Sequence, residues 1–217
     1  MNAIAADLEG TLTIGETWKG MAAWMQAHGR AAQYQWFFYR KLLGAAAVRL
    51  GLGDKRAFQD RFMEGAAGLL AGLAQAELTA VSEWVVTNEL WPKRRLDLLD
   101  ELLRLRQDGR RLVLCSATFQ PILEAFARRM GEGVVALGTP LEIEAGIFTG
   151  RLRGPVRSGA HKAEYLRKML RGEALYAAYG DSLHDVPMLE LAHNPVAVYP
   201  DAKLRQMAVA RKWRVIG

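Results

Sequence analysis

The sequence predicts an α/β fold, a parallel sheet with helices on both faces, into which an all-helical segment is inserted directly after the first strand. Three observations predict it. A short apolar run, Asn2 to Ala6, ends at an acidic turn containing Gly10. Residues 15–90 carry helical periods rich in Ala, Leu, Met and Trp with little alternation. From Trp91 onward, strand-like and helix-like runs alternate along the rest of the chain. With 217 residues, 51% of them apolar, the chain can bury roughly 70% of its unfolded surface, which excludes disorder as its main state.

Asn2 to Ala6 reads as a buried strand that delivers polar groups to its C-terminal edge. Trp18, Met21, Ala22 and Met25 show the helical spacing of the next block, which holds three or more helices apart from a turn expected at Gly51 to Gly53. Pro92 suits a first helical turn, and Leu96, Leu99, Leu102, Leu103 and Leu105 form a leucine-rich helix that stops at Gly109. A strand from Arg111 to Cys115, a helix from Pro121 to Met130 and a strand from Val134 to Leu137 follow, then a hairpin from Leu141 to Leu152 turning near Ala145-Gly146. Helix from Ala160 to Leu170, strand from Leu175 to Tyr179, helix from Val186 to Ala192, strand from Val196 to Tyr199 and helix from Asp201 to Ala210 complete the series. The expected division is an α/β core of residues 1–14 and 91–217 and a helical domain of residues 15–90. The insertion point places that domain over the crevice where open α/β sheets bind ligands, in the position of a lid.

The single cysteine, Cys115, excludes an intramolecular disulfide framework and any multi-cysteine zinc site, and points to a reducing compartment. The formal charge of +6 is dispersed: residues 15–90 hold eight Lys/Arg against seven Asp/Glu, and residues 91–217 hold twenty-one against fourteen. That supports a generic preference for anions. No apolar run reaches the roughly 18–20 residues of a membrane span, and the N-terminus lacks the regions of a signal peptide, so the expected location is the cytoplasm.

Four places can carry chemistry. Asp7 and Glu9, two apart at a strand end, can turn both carboxylates the same way, as a nucleophile and a proton shuttle would require. Asp181 and Asp185 follow another apolar strand and can present two carboxylates to one site, the hard oxygen ligands that suit Mg²⁺. Ser116, at the end of the strand through Cys115, offers a hydroxyl and neighbouring amides to an anion, and Lys162 opens a helix. Each alone has a plainer reading, as a cap for the first three and as a solvated lysine for the last.

Taken in order, Asp7-Leu8-Glu9-Gly10-Thr11-Leu12-Thr13, Leu112-Val113-Leu114-Cys115-Ser116, Lys162, and Gly180-Asp181-Ser182 with Asp185-Val186-Pro187-Met188-Leu189 resemble the four motifs of the haloacid dehalogenase superfamily. The resemblance covers nearly the whole chain. The helical insertion resembles the C1 cap of the phosphoserine phosphatase-like branch, and Gly138-Thr139-Pro140-Leu141-Glu142 through Gly146-Ile147-Phe148-Thr149-Gly150, with Gly159 and Lys162, resembles its IB hydrolases. The fold so implied is a Rossmann-like core with an all-helical cap. The activity implied is phosphomonoester hydrolysis, with Asp7 attacking phosphorus to form an aspartyl-phosphate and Glu9 as acid and then base. Asp7, the backbone carbonyl of Glu9, Asp181 and Asp185 would hold Mg²⁺, and Ser116 and Lys162 would neutralise the phosphoryl oxygens, with Ala117 beside them on the substrate. Glu9 departs from the common family pattern, since most phosphatases of the superfamily carry Asp there and some of the phosphoserine phosphatase-like branch carry Glu, and the extra methylene bears on a geometry sensitive to about 1 Å.

The same resemblance implies a small phosphorylated substrate, phosphoserine first. Glu16 stands nine residues after Asp7 and Arg61 precedes a leucine-rich stretch, matching the residues that bind the ammonium and carboxylate of phosphoserine in that branch. Their plainer reading is a helix cap and a solvated face. A rival substrate is a phospholipid head group, because Tyr34 to Tyr39 form an aromatic run with a basic end that can touch lipid, although internal packing accounts for it too. Arg151, Arg153, Arg157 and His161 form an acid-free basic segment leading to Lys162. A third reading, a nucleic-acid or anion-binding module, is opposed by the intact Asp7, Ser116, Lys162, Asp181 and Asp185 set. A monomer and a homodimer are equally compatible with the sequence.

Overall fold

Strand β1 (Ala3–Ala6) is buried on both faces, as its unbroken apolar run requires of a central parallel strand. The computed structural model describes residues 2–50, 52 and 55–217, so Gly51 and Gly53, the ends of the expected turn, lie outside it. After β1 come α1 (Thr17–Ala27), α2 (Ala31–Arg49), α3 (Lys55–Gly68) and α4 (Gln75–Val85), the last running into a π-helical stretch at Val86–Leu90. Pro92 then sits in a turn ahead of α5 (Leu96–Gln107) instead of in a first helical turn. The remaining elements are β2 (Arg111–Phe119), α6 (Gln120–Met130), β3 (Val135–Thr139), β4 (Leu141–Glu144), β5 (Ile147–Leu152), α7 (Gly159–Leu170), β6 (Leu175–Gly180), α8 (Val186–Leu189), β7 (Ala192–Val198), α9 (Ala202–Ala210) and β8 (Arg214–Ile216).

Six parallel strands form one sheet in the order β3-β2-β1-β6-β7-β8, and β4 pairs with β5 as a separate antiparallel hairpin. Alternate residues of β1 divide the core between two faces. Ile4 and Ala6 join Leu98 and Leu102 of α5 and Phe126 of α6, whereas Ala3 and Ala5 join Leu166 of α7, Met188 of α8 and Leu204 of α9. The first face continues into the helical segment through Met21, Leu78, Val81 and Val85, with α4 packed on α6. The hairpin reaches the same segment through Gly72 N–H to the Phe148 carbonyl and Phe148 N–H to the Leu73 carbonyl, each 2.9 Å.

Three elements differ from expectation. Strand β2 runs on to Phe119, because a bulge keeps the chain extended beyond Cys115. The helix expected over Val186 to Ala192 is a single turn, since Ala192 already pairs with Leu175 in β7. Strand β8 was not expected at all, being three residues that begin with an arginine, too short for a period to register. Its outer edge is tied back by Arg214, which donates to both carboxylate oxygens of Glu101 at 2.6 and 2.7 Å.

Phe126 is fully buried and meets the Trp91 ring at 5.3 Å. Phe126→Ala is expected to lower stability by about 3–5 kcal/mol, measured by denaturant unfolding, with the spectroscopic signature of the remaining fold retained.

Candidate active site

The floor of the site is built where β1, β2 and β6 end together. Past Ala6 the chain turns sharply: the amides of Leu12 and Thr13 both reach the Leu8 carbonyl, at 2.8 and 3.1 Å. Gly10 stands at φ +87° inside this turn, and a side chain there would come within 2.3 Å of the Asp181 carboxylate. Arg95, stacked on the Tyr199 ring at 3.9 Å, donates to the Gly10 and Thr11 carbonyls at 3.0 Å and fixes the loop from outside. Thr11 Oγ1 donates to Asp181 Oδ1 at 3.0 Å.

From the end of β6, Asp185 turns back on its own loop. Its Oδ2 accepts from the Asp181 amide, the Ser182 amide and the Ser182 hydroxyl, each at 3.2 Å. Lys162 enters from the first turn of α7, buried instead of solvated, and its Nζ donates to Asp7 Oδ1 and Asp185 Oδ1, both at 2.6 Å. Asp7, Asp181 and Asp185 each offer a carboxylate oxygen within 4.8 Å of the others.

Ser116 lies within β2, not after it. Between Cys115 and Phe119 the strand advances four residues while β3 advances two, from Leu137 to Thr139. The resulting bulge frees residues 116–118 from the ladder and turns Ser116 and Ala117 into the wall of the site. Thr118 reaches Thr17 at the start of α1, with 2.7 Å between hydroxyls, and Thr17 Oγ1 donates to Glu9 Oε1 at 2.5 Å. The glutamate is thereby held by the helical segment. Neither threonine stood out in the sequence, because they lie 101 residues apart and meet only in the fold. Thr11 could have been found from its place inside the first motif.

Asp7, Glu9, Ser116, Ala117, Lys162, Asp181 and Asp185 all line one cavity of about 560 Å³. Glu16 and Arg61 do not line it. Glu16 sits at the N-terminus of α1 paired with Lys19 at 2.8 Å, and Arg61 is exposed on α3. The aromatic run divides: Phe37 is buried, Phe38 faces the cavity, and Trp36 and Tyr39 are exposed.

Residues 4–190 match the family model of the haloacid dehalogenase-like hydrolases. The chain belongs to that family. Over 222 aligned positions it is 34% identical to the phosphoserine phosphatase SerB1 of Mycobacterium tuberculosis (strain H37Rv), covering 96% of this chain and 68% of that one. A crystal structure of a protein of unknown function from Bordetella pertussis Tohama I is similar at TM-score 0.82 and 26% identity, over 99% and 97% of the two chains. A phosphoserine phosphatase in apo form shares the fold at TM-score 0.63 and 16% identity, over 98% of each. This haloacid dehalogenase-like hydrolase is an enzyme of the phosphatase type.

Four buried or half-buried carboxylates, Asp7, Glu9, Asp181 and Asp185, line the same cavity as the Lys162 ammonium. Burial pushes the Asp7 carboxyl up to about 7 against the pull of Lys162, with Asp185 and Asp181 adding to the rise. Burial likewise raises Glu9 to about 7, opposed by the Thr17 hydrogen bond, and Asp181 to about 6, where Asp185 adds. Burial lowers the pKa of Lys162, but Asp185 and Asp7 outweigh it and hold the ammonium charged. Asp7, Asp181 and Asp185 supply oxygen donors alone, in a cradle that a side chain at position 10 would fill, which fits a hard divalent cation. Among the described residues no helix is long and apolar enough to cross a membrane.

The folded values for Asp7 and Asp181 lie above the ordinary carboxylate value of 3.8 that the unfolded chain would show. Without a divalent ion the folded state therefore binds more protons, and stability falls as pH rises from about 4 to about 7. Added divalent cation is expected to raise the melting temperature more at about pH 8 than at about pH 5, since it binds the ionised carboxylates; equal shifts at both would contradict the site. In Gly10→Ala that cation response should be lost, as read by the same thermal titration.

Proposed function

We propose that this hydrolase cleaves a small phosphomonoester in a Mg²⁺-dependent reaction through an aspartyl-phosphate on Asp7. The observation that carries the proposal is the Lys162 ammonium held 2.6 Å from both Asp7 and Asp185, in the cavity that Glu9 and Ser116 also line. On this reading residues 15–90 form a cap domain over a core of residues 1–14 and 91–217. The lone, buried Cys115 agrees with a cytoplasmic enzyme.

Asp7 is the nucleophile, because it alone combines a place at the end of the central strand with direct contact to the lysine that would neutralise the phosphoryl group. Its carboxylate oxygen bonds to phosphorus, the bond from phosphorus to the alcohol oxygen breaks, and Glu9 gives that oxygen its proton. Water then attacks the phosphorus of the acyl phosphate, yielding its proton to Glu9 and releasing phosphate with the Asp7 carboxylate restored. One group performs both proton transfers, and a carboxyl raised to about 7 by burial is suited to that at neutral pH. Ser116 and Lys162 would bind the non-bridging oxygens, and Ala117 lies beside them. Asp7, Asp181, Asp185 and the Glu9 carbonyl would hold Mg²⁺, which supplies charge neutralisation of the phosphoryl group when bound.

The Glu9 carboxylate reaches one methylene further than the aspartate common in the family, and the Thr17 hydroxyl donates to it at 2.5 Å. The name of the mycobacterial relative supports phosphoserine as substrate, whereas Glu16 and Arg61 lie outside the cavity and lend it no support. The test is phosphate release from phosphoserine, phosphothreonine, sugar phosphates, nucleotides and phosphatidylglycerophosphate, with Mg²⁺ or with EDTA. Release should need Mg²⁺, vanish in Asp7→Asn, and slow by about 10²–10⁴-fold in Glu9→Gln. Metal-independent release, or release that survives Asp7→Asn, would refute the mechanism.

A further inference from the structure

The cavity has a polar floor and an apolar wall. The wall comes from the helical segment: Trp18 and Met21 of α1, Phe38 of α2, and Phe58, Phe62 and Met63 of α3. Its rings pack against one another: Trp18 and Tyr34 each stack on Phe38 at 6.2 Å, and Phe62 lies 5.2 Å from Phe37 and 6.4 Å from Phe58. Among the described residues Lys41 and Asp60 are the charged side chains that this segment brings to the lining. Lys41 already donates to the Arg61 carbonyl at 2.9 Å and lies 5.7 Å over the Phe37 ring.

We infer that the leaving alcohol of the preferred substrate carries an uncharged ring, bound between these aromatic side chains, and is not a zwitterionic amino acid. The inference rests on the phosphomonoesterase reading and names the substrate class for that same site. The rings that line the cavity offer a flat ring the edge-on and offset contacts that aromatic groups prefer at about 4.5–7 Å. A substrate carboxylate would stand in the same cavity as Asp60 and the carboxylates of the floor, and among the described residues Lys41, already shared with the Arg61 carbonyl and the Phe37 ring, is the one cation this segment sets against them. The volume of about 560 Å³ leaves room for a ring beyond the phosphate.

The test compares kcat/KM for 2-phenylethyl phosphate, n-hexyl phosphate, ethyl phosphate and O-phosphoserine with Mg²⁺. All four leave as alkyl alcohols, so no activated leaving group obscures binding. The phenylethyl ester should exceed phosphoserine by at least about tenfold and hexyl phosphate by at least about threefold. In Phe38→Ala and Phe62→Ala the ratio of phenylethyl to ethyl phosphate should fall at least about tenfold, whereas general damage to the fold would lower both and keep the ratio. Phosphoserine equal or better, hexyl phosphate equal, or an unchanged ratio would each overturn ring recognition while leaving the phosphatase reading intact. No release from any of the four, with release from a sugar phosphate, nucleotide or phospholipid, would overturn the inference alone, and no release from any phosphomonoester would overturn that reading and the inference together.

Discussion

The contact on which this molecule's candidate active site depends is the double ion pair of Lys162, buried between Asp7 and Asp185. A lone ammonium in the interior would lose its proton, and the two carboxylates without it would each be driven to the neutral acid. The pair joins three parts of the chain: the end of β1, the first turn of α7 and the loop after β6. The sheet order sets β1 and β6 side by side, so the carboxylates are neighbours before the lysine arrives. The glycines at 10 and 180 then leave space where a side chain would strike Asp181 or Asp185.

Burial raises Asp7, Glu9 and Asp181 above the ordinary carboxylate range, and neighbouring carboxylates add to the rise. Fold stability and proposed chemistry thus meet in the same charges. Carboxylates held above their ordinary range make the folded chain less stable as pH rises towards neutrality, and in the proposed reaction a divalent cation and a phosphoryl group are what they would complement. A site completed by its ligands in this way is preorganised for them, because the carboxylates are already fixed by Thr11, Ser182 and the loop amides.

The helical segment takes part in this floor as well as covering it. Thr17, the first residue of α1, holds the Glu9 carboxylate and touches Thr118 in the β2 bulge. A shift of α1 relative to the sheet would therefore move the proposed proton shuttle. The other contribution of the segment is largely apolar, the aromatic side chains that line the same cavity as Asp7, Ser116 and Lys162.

The sequence by itself determined the parallel α/β architecture, since buried strands such as Ala3–Ala6 and amphipathic helices such as α5 carry their burial in local periods. It also marked Asp7, Asp181 and Asp185, because strand ends followed by acidic, glycine-containing turns are local signals, whereas Lys162 was marked only by its place in the order of the four motifs. Only tertiary structure decided the bulge that presents Ser116 and Ala117, the short α8, the strand β8, and the meeting of Thr17 with Glu9 and Thr118. It also decided that Glu16 and Arg61 stay out of the cavity that Phe38 and Phe62 enter. The physical reason is range: a period or a turn is written within a few residues, whereas which face of a helix meets a site about one hundred residues away is set by packing of the whole chain.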